Sequence, residues 1–372
     1  MSGALIIAAR RSAVVPRGGA FAGLEPHQLA APVIADLLRD AGLQPGQVDE
    51  LILGNALGAG GNPARVAALA AGLQVAGLSI DRQCCAGMDA VLLADALIRA
   101  GRHQVVIAGG AESYSRRPLR LRTDPMGGAP TAYDQPAFTP WPDRDPGMAE
   151  AAAALARLLG ISRAEQDGWT VASHARALAA QDRLRAEITA IAGITRDPFA
   201  RQLTPQLCAR AKPLADSVTA ANTAVAGDGA GFCLLVSEAV ARRLDRRLNR
   251  PRLRILAGAT LGADPELPGL APVPAIRAVL REAGWAATDP DHIELMEAFA
   301  VQAIACARET GLPPQRINSG GGALARGHPI GASGAVNLVR LFHDMDRPGQ
   351  RGLAAIAAAG GLGTAVALER MD

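Results

Sequence analysis

Aromatic side chains are scarce in this chain. Phe, Trp and Tyr make up 3% of its 372 residues, so much of the core must be packed from Ala, Leu, Val and Ile. Lysine is almost missing. Lys212 is the only one, and the remaining basic residues are arginines, a composition bias with no functional meaning. Cysteine is sparse and odd in number: Cys84, Cys85, Cys208, Cys233 and Cys306. Five in a chain this long exclude a disulfide framework. No C-x-x-C pair and no Cys/His cluster with zinc spacing occurs, so no metal site is expected. The net charge is +3 and no Lys/Arg stripe marks a nucleic-acid partner. The apolar run at residues 4–9 is too short for a signal segment and precedes its arginines. No stretch approaches the roughly 20 apolar residues of a membrane span. These absences predict a soluble cytoplasmic protein with room for a reactive cysteine.

What is present is a large apolar fraction, 49%, which excludes a disordered chain. The length suits two domains or one composite fold. Short Val/Ile runs alternate with longer Ala/Leu runs, the pattern of an α/β protein. One arrangement occurs twice. Cys84 leads through a small-residue turn into a helix predicted over 88–100, then into a strand over 105–108 that ends in Gly109-Gly110. His328 leads through Pro329-Ile330-Gly331 into a helix over 332–342, then into a strand over 353–358 that ends in Gly360-Gly361. The pattern predicts a duplicated fold that brings one reactive residue from each half to a common place. Residues 119–146 are rich in Pro, Gly, Arg and Asp and are expected to be irregular. Ser162 and Glu165 form a capping box for a helix running to about Ala180.

Cys84 sits at a helix N-terminus, where the partial positive charge favours thiolate. It reads as a nucleophile or as a buried structural cysteine. His328 lies in the glycine-dense stretch 320–334 and reads as the base that activates Cys84, or as a histidine of a helix's first turn. The loop has no P-loop pattern, and Gly360-Gly-Leu-Gly363 is not a dinucleotide fingerprint. Glu294, Glu297 and Phe299 lie where a strand end passes into a helix, and taken alone Glu297 reads as a cap or ion pair and Phe299 as core.

Several motifs in order give the chain a resemblance to the thiolase family over nearly its whole length. They are the segment 81–90 around Cys84, Gly109-Gly-Ala-Glu-Ser113, the segments 161–167 and 173–178, Gly229-Ala-Gly231, Glu297-Ala-Phe-Ala300 and the Gly-His-Pro segment 320–334. The resemblance implies an α/β, thiolase-like, five-layered αβαβα duplicated fold with a loop-domain insertion. Residues 1–118 plus 218–250 form the N-terminal half, 119–217 the loop domain and 251–372 the C-terminal half. It implies a homodimer or homotetramer in lipid metabolism, with no permanently bound cofactor and coenzyme A thioesters as substrate. His328 deprotonates Cys84, which takes an acyl group, and backbone N–H groups of Cys84 and Ala359 form the oxyanion hole. Met148, Ala224 and Phe299 face the substrate. Arg201, Arg210 and Lys212 are expected to meet the coenzyme A phosphates or to be solvated loop charges.

The chain also departs from the family. Ala357 takes the place of the family's acid/base cysteine, and alanine transfers no proton. Met296 takes the place of the asparagine that holds a water for the second oxyanion hole, and Ala224 that of a serine near the pantetheine. Cys85 and Glu112 are candidate replacements for the missing acid/base. The expected function is a thiolase-like acyl-CoA acyltransferase with a non-standard acid/base. The alternatives are transfer to a non-carbon or decarboxylated acceptor, or a subunit with degraded catalysis.

Overall fold

The computed structural model describes residues 3–58, 60–245 and 251–371. The expected boundary between residues 250 and 251 therefore borders a stretch, 246–250, that lies outside the described residues. Nine strands carry the architecture: β1 (Ala4–Ser12), β2 (Glu50–Gly54), β3 (Leu78–Ile80), β4 (Val105–Ser113), β5 (Gly227–Ser237), β6 (Leu253–Gly262), β7 (His292–Leu295), β8 (Arg351–Ala358) and β9 (Leu362–Arg370). They run in the spatial order β7-β8-β9-β6-β1-β5-β4-β2-β3.

The order is a duplication. In the first half β1 and β5 pair antiparallel, β5 and β4 antiparallel, and β4 and β2 parallel. In the second, β6 and β9 pair antiparallel, β9 and β8 antiparallel, and β8 and β7 parallel. The halves meet where Leu5 and Ile6 pair with Arg254 and Leu253.

Side-chain alternation along the strands builds the layers. Leu51, Val105, Ile107 and Leu234 face helices α1 (Pro26–Ala41) and α2 (Pro63–Ala70). Their neighbours Ile52, Val106, Ala108 and Leu235 face the other way, into a cluster that also receives Ile356 and Val366 of the second half. Helices α3 (Ala86–Arg99) and α8 (Ser333–Asp344) lie in that shared middle. A third cluster joins Leu295, Leu353 and Ala367 to α6 (Pro272–Ala283) and α7 (Ala300–Thr310). The result is helix, sheet, helix, sheet, helix. Ala and Gly at the layer contacts let helices sit close, which suits a core with few aromatic rings.

The loop region packs α4 (Met148–Leu158) and α5 (Arg163–Ala179) on the second half, with Ala152 and Leu155 against Val301 and Ile304 of α7. The Ser162–Glu165 capping box forms as expected. Two expectations are corrected. Residues 119–146 are not wholly irregular, because Arg120–Arg122 pairs with Thr131–Tyr133 as a short hairpin. β4 does not end at Gly109-Gly110 but runs to Ser113, because its ladder with β5 continues to the Ser113–Asp228 pair.

Candidate active site

Two helix N-termini from different halves converge. Cys84 occupies a tight turn directly before α3, and the residue before it, Gln83, has φ +52°, a backbone conformation that costs energy for a side chain. The Gln83 N–H donates to Asp81 Oδ1 at 2.8 Å, which holds the turn. His328 precedes α8. Its N–H donates to the Val225 carbonyl at 2.8 Å and its carbonyl accepts from the Gly227 N–H at 3.2 Å, so β5's approach fixes the loop.

The two loops touch because glycine allows it. A Cβ on Gly87 would come within 2.7 Å of the Gly331 carbonyl oxygen, and one on Gly110 would press into the same atom. Glu112 then clamps the junction. Its buried carboxylate accepts from Asn55 Nδ2 at 2.7 Å, from the Ala56 N–H at 2.9 Å and from the Gly331 N–H at 3.0 Å. Burial pushes this carboxyl up to about 7, against the pull of those N–H donors.

Cys84 Sγ lies 3.2 Å from His328 Nε2. On the other side of the ring, Nδ1 lies 2.7 Å from Ser333 Oγ, and Ser333 Oγ donates its proton to the Pro329 carbonyl at 3.0 Å. Ser333 therefore accepts at Nδ1, which places the neutral ring's proton there and leaves the Nε2 lone pair aimed at sulfur. Burial holds His328 down at about 4, so the imidazole is neutral near pH 7. Burial, with smaller contributions from Cys85, Glu112 and Asp81, pushes the Cys84 thiol above its ordinary value. Desolvation outweighs the backbone hydrogen bond that pulls the thiol the other way. The resting pair is thiol and imidazole, ready for a proton transfer that accompanies attack.

Cys84 and His328 open into a cavity of about 500 Å³. Met148, Ala224, Phe299, Ala357 and Ala359 line it as well. Thr223 stands beside Ala224 with a buried hydroxyl that has no hydrogen-bond partner among the described residues. Ala357 is 8% exposed and presents only a methyl group to the cavity.

Other sequence candidates lie elsewhere. Met296, 1% exposed, is in the apolar layer between the sheets and does not line the cavity. Cys85 turns away: its thiol reaches the Ile356 carbonyl at 3.7 Å and is pushed up to about 12, chiefly by burial. Cys85 and Glu112 are thus both removed as replacements for the missing acid/base, one by orientation and the other by its occupied oxygens. Arg201, Arg210 and Lys212 do not line the cavity, and Arg201 lies over the Phe199 ring. Glu297 accepts from Trp169 Nε1 at 2.9 Å, Ser173 Oγ at 2.8 Å and Asn318 Nδ2 at 2.8 Å, so it ties α5 to the second half. Glu294 lies 3.6 Å from Arg326 in the buried loop.

Sequence reasoning did not single out Ser333, Tyr114, Arg117 or Arg120. Ser333 reads as an ordinary helix-start serine, and its five-residue spacing from His328 was the available signal. Arg120 fell in the segment 119–146 read as irregular, and Arg117 just before it. Among the described residues no cluster is placed to hold a metal ion, and no helix is long and apolar enough to cross a membrane.

Residues 4–239 match the family model described as Thiolase, N-terminal domain, and residues 249–370 match Thiolase, C-terminal domain. The chain is 40% identical over 396 residues to an acetyl-CoA acetyltransferase of Pseudomonas aeruginosa, covering 100% of both chains. It is 38% identical over 390 residues to one of Rhizobium meliloti, covering 99% of this chain and 98% of that one. The crystal structure of the Bacillus anthracis acetyl-CoA acetyltransferase superposes with a TM-score of 0.91 at 35% identity, covering 100% and 99% of the two chains.

Proposed function

The chain belongs to the thiolase family, and on that premise we propose that it is an acyl-CoA C-acyltransferase that carries its acyl group on Cys84. The observation that carries this reading is the 3.2 Å pair of Cys84 and His328, with the ring's far nitrogen held by Ser333. The thiol proton passes to His328 Nε2 as Sγ attacks the thioester carbonyl carbon. Backbone N–H groups of Cys84 and Ala359 receive the oxyanion. Collapse breaks the bond to the coenzyme A sulfur, which takes the proton from His328 and leaves as the thiol.

The second half-reaction is non-standard. No thiol stands at Ala357, and Cys85 and Glu112 point elsewhere. His328, neutral again after loading, is the nitrogen base that remains beside the acyl group, and we assign it the deprotonation of the acceptor. A second reading is favoured by the same alanine: an acceptor activated by decarboxylation, or a non-carbon nucleophile, needs no base at an α-carbon. We propose a homodimer or homotetramer, with the sheet edge at β3, where Leu78 is exposed, as a surface open to pairing.

Intact mass after addition of acetyl-CoA tests the first step. An acetyl adduct on the wild type and none on Cys84→Ala is expected, and no adduct on either rejects the acyl-cysteine. Hydrogen exchange of acetyl-CoA in deuterated water separates the two readings. Exchange supports base catalysis by the enzyme, and an adduct without exchange supports the decarboxylated or non-carbon acceptor.

A further inference from the structure

Two arginines face the cavity that Cys84 opens into. After β4 ends at Ser113 the chain reads Tyr114-Ser-Arg-Arg-Pro-Leu-Arg120. Tyr114, Arg117 and Arg120 are half-buried and line the cavity, while Arg116 and Leu119 are exposed. The Arg117 guanidinium carbon lies 4.8 Å from the centre of the Tyr114 ring, with Arg17 at 5.5 Å from the same ring. Arg120 reaches the Ala56 carbonyl with Nη2 at 3.5 Å and the Asp134 carbonyl with Nη1 at 3.3 Å. Ala56 is itself clamped by Glu112, the carboxylate that also holds Gly331. The arginines thus belong to the wall next to the catalytic junction.

Their present partners are weak. The Arg120 contacts are long for hydrogen bonds. Arg117 pairs with Asp134 at 2.6 Å, but the arginine side chain is 18% exposed and the aspartate 81%, so the aspartate is a solvated partner that another carboxylate can displace. Asp81, the other acid of the lining, is held by the Gln83 N–H. Met148, Ala152, Leu155 and Phe299 of the same lining are apolar. A cavity that combines apolar side chains with guanidinium groups suits a short methylene chain that ends in an anion.

We propose that Arg117 and Arg120, steadied by Tyr114, form an anion-binding subsite that takes the free carboxylate of a dicarboxylic acyl-CoA whose thioester lies at Cys84. The proposal rests on the reading of Cys84 as the acyl carrier. Arginine's planar fork matches a carboxylate, and stacking on the phenol ring pre-orients it. The coenzyme A phosphates are the competing anions, but the whole pantetheine arm separates them from the thioester. The subsite selects acyl groups by their distal charge.

Calorimetric titration of the Cys84→Ala protein tests this without turnover. Succinyl-, glutaryl- and adipyl-CoA are compared with butyryl-, pentanoyl- and hexanoyl-CoA. At one chain length the dicarboxylic ester is expected to bind about ten-fold tighter or more than its uncharged counterpart, as for a charged hydrogen-bonded pair. The preference should fall to near unity on adding Arg117→Met or Arg120→Met, and it should persist with N-acetylcysteamine thioesters, which carry no phosphate. Unchanged affinity for the uncharged esters certifies folding of the variants. Equal affinities at all three lengths overturn the proposal. So does an arginine dependence shared by charged and uncharged CoA esters and absent from N-acetylcysteamine thioesters, which marks a phosphate site. Acyl adducts on the wild-type protein without any binding preference reject this subsite alone, and the absence of every adduct rejects the acyl-cysteine reading.

Discussion

Ser333 Oγ lies 2.7 Å from His328 Nδ1 and gives its only proton to the Pro329 carbonyl. The hydroxyl can therefore only accept from the ring, and one contact decides which imidazole nitrogen faces Cys84. Ser333→Ala removes that acceptor and lets the proton move to Nε2, where it blocks the thiol. Acylation of Cys84 should slow by about ten-fold or more, toward the lower range of acid–base help. Stopped-flow release of coenzyme A measures it, and Ser333→Thr, which keeps the acceptor, should recover part of the rate. An unchanged rate in Ser333→Ala would remove the positioning role.

The buried imidazole gives a pH signature. His328 is held at about 4 by burial, below the ordinary histidine value of about 6.5. The acylation rate should stay level as pH falls through 6 and drop only as the ring protonates near 4. A fall centred near 6.5 contradicts the assignment. The Cys84 thiol, raised above its ordinary value, should show no thiolate plateau in iodoacetamide alkylation between pH 5 and 8.

Stability carries the same sign. His328 and His174 are both held near 4, mainly by burial. An unfolded chain protonates these rings near 6.5, ahead of the folded one. Their contribution is thus complete above about 6.5 and lost as pH falls toward 4. Glu112, held up at about 7, acts in the opposite direction over the same window, so a variant isolates the ring. The urea midpoint of His174→Gln should decline less between pH 6.5 and 4 than that of the parent, and equal declines would show that His174 does not stay neutral in the fold.

Ala357→Cys tests what a thiol at this position contributes. The side chain faces the cavity, so the sulfur has room. Deuterium exchange at the α-carbon of acetyl-CoA should rise about 10²-fold or more over the parent. Cys85→Ala should leave acyl loading unchanged, because that thiol faces the Ile356 carbonyl inside the core. No gain from the new cysteine means that more than the base is altered.

Gly110→Ala should strike the Gly331 carbonyl and part the two helix N-termini. The expected cost is about 1–3 kcal/mol of stability, as for other overpacked cores, together with slower acylation. Urea denaturation and coenzyme A release measure the two effects. A variant as stable and as fast as the parent would show that the close approach is not required.

Much of this arrangement was legible in the sequence. The repeat of reactive residue, helix and strand located Cys84 and His328 and predicted a duplicated fold, since alternation and helix periodicity are local properties of the chain. The strand at Gly109-Gly110 was cut short because glycine punctuates local structure, whereas here it serves a close approach that appears only when α8 arrives from the other half. Glu112 read as a candidate acid/base because its donors, at Asn55, Ala56 and Gly331, are distant in sequence. Arg117 and Arg120 were not singled out because no local signal separates a solvated arginine from one that lines a cavity.

By itself the sequence determined the α/β alternation, the duplicated arrangement and the two candidate reactive residues, which depend on residue type and short-range pattern. The layered plan and the reading of Ala357 as the place of a thiol are what the resemblance to the thiolase family implies. Only the tertiary structure decided that Cys84 and His328 meet at 3.2 Å, that Ser333 fixes the ring's proton, that Cys85 turns inward and that two arginines share the cavity. The meeting of Cys84 with His328 and the inward turn of Cys85 depend on packing between segments more than 200 residues apart, and the other two on how loops fold against the cavity. In each case burial and close contact, not local propensity, set the geometry.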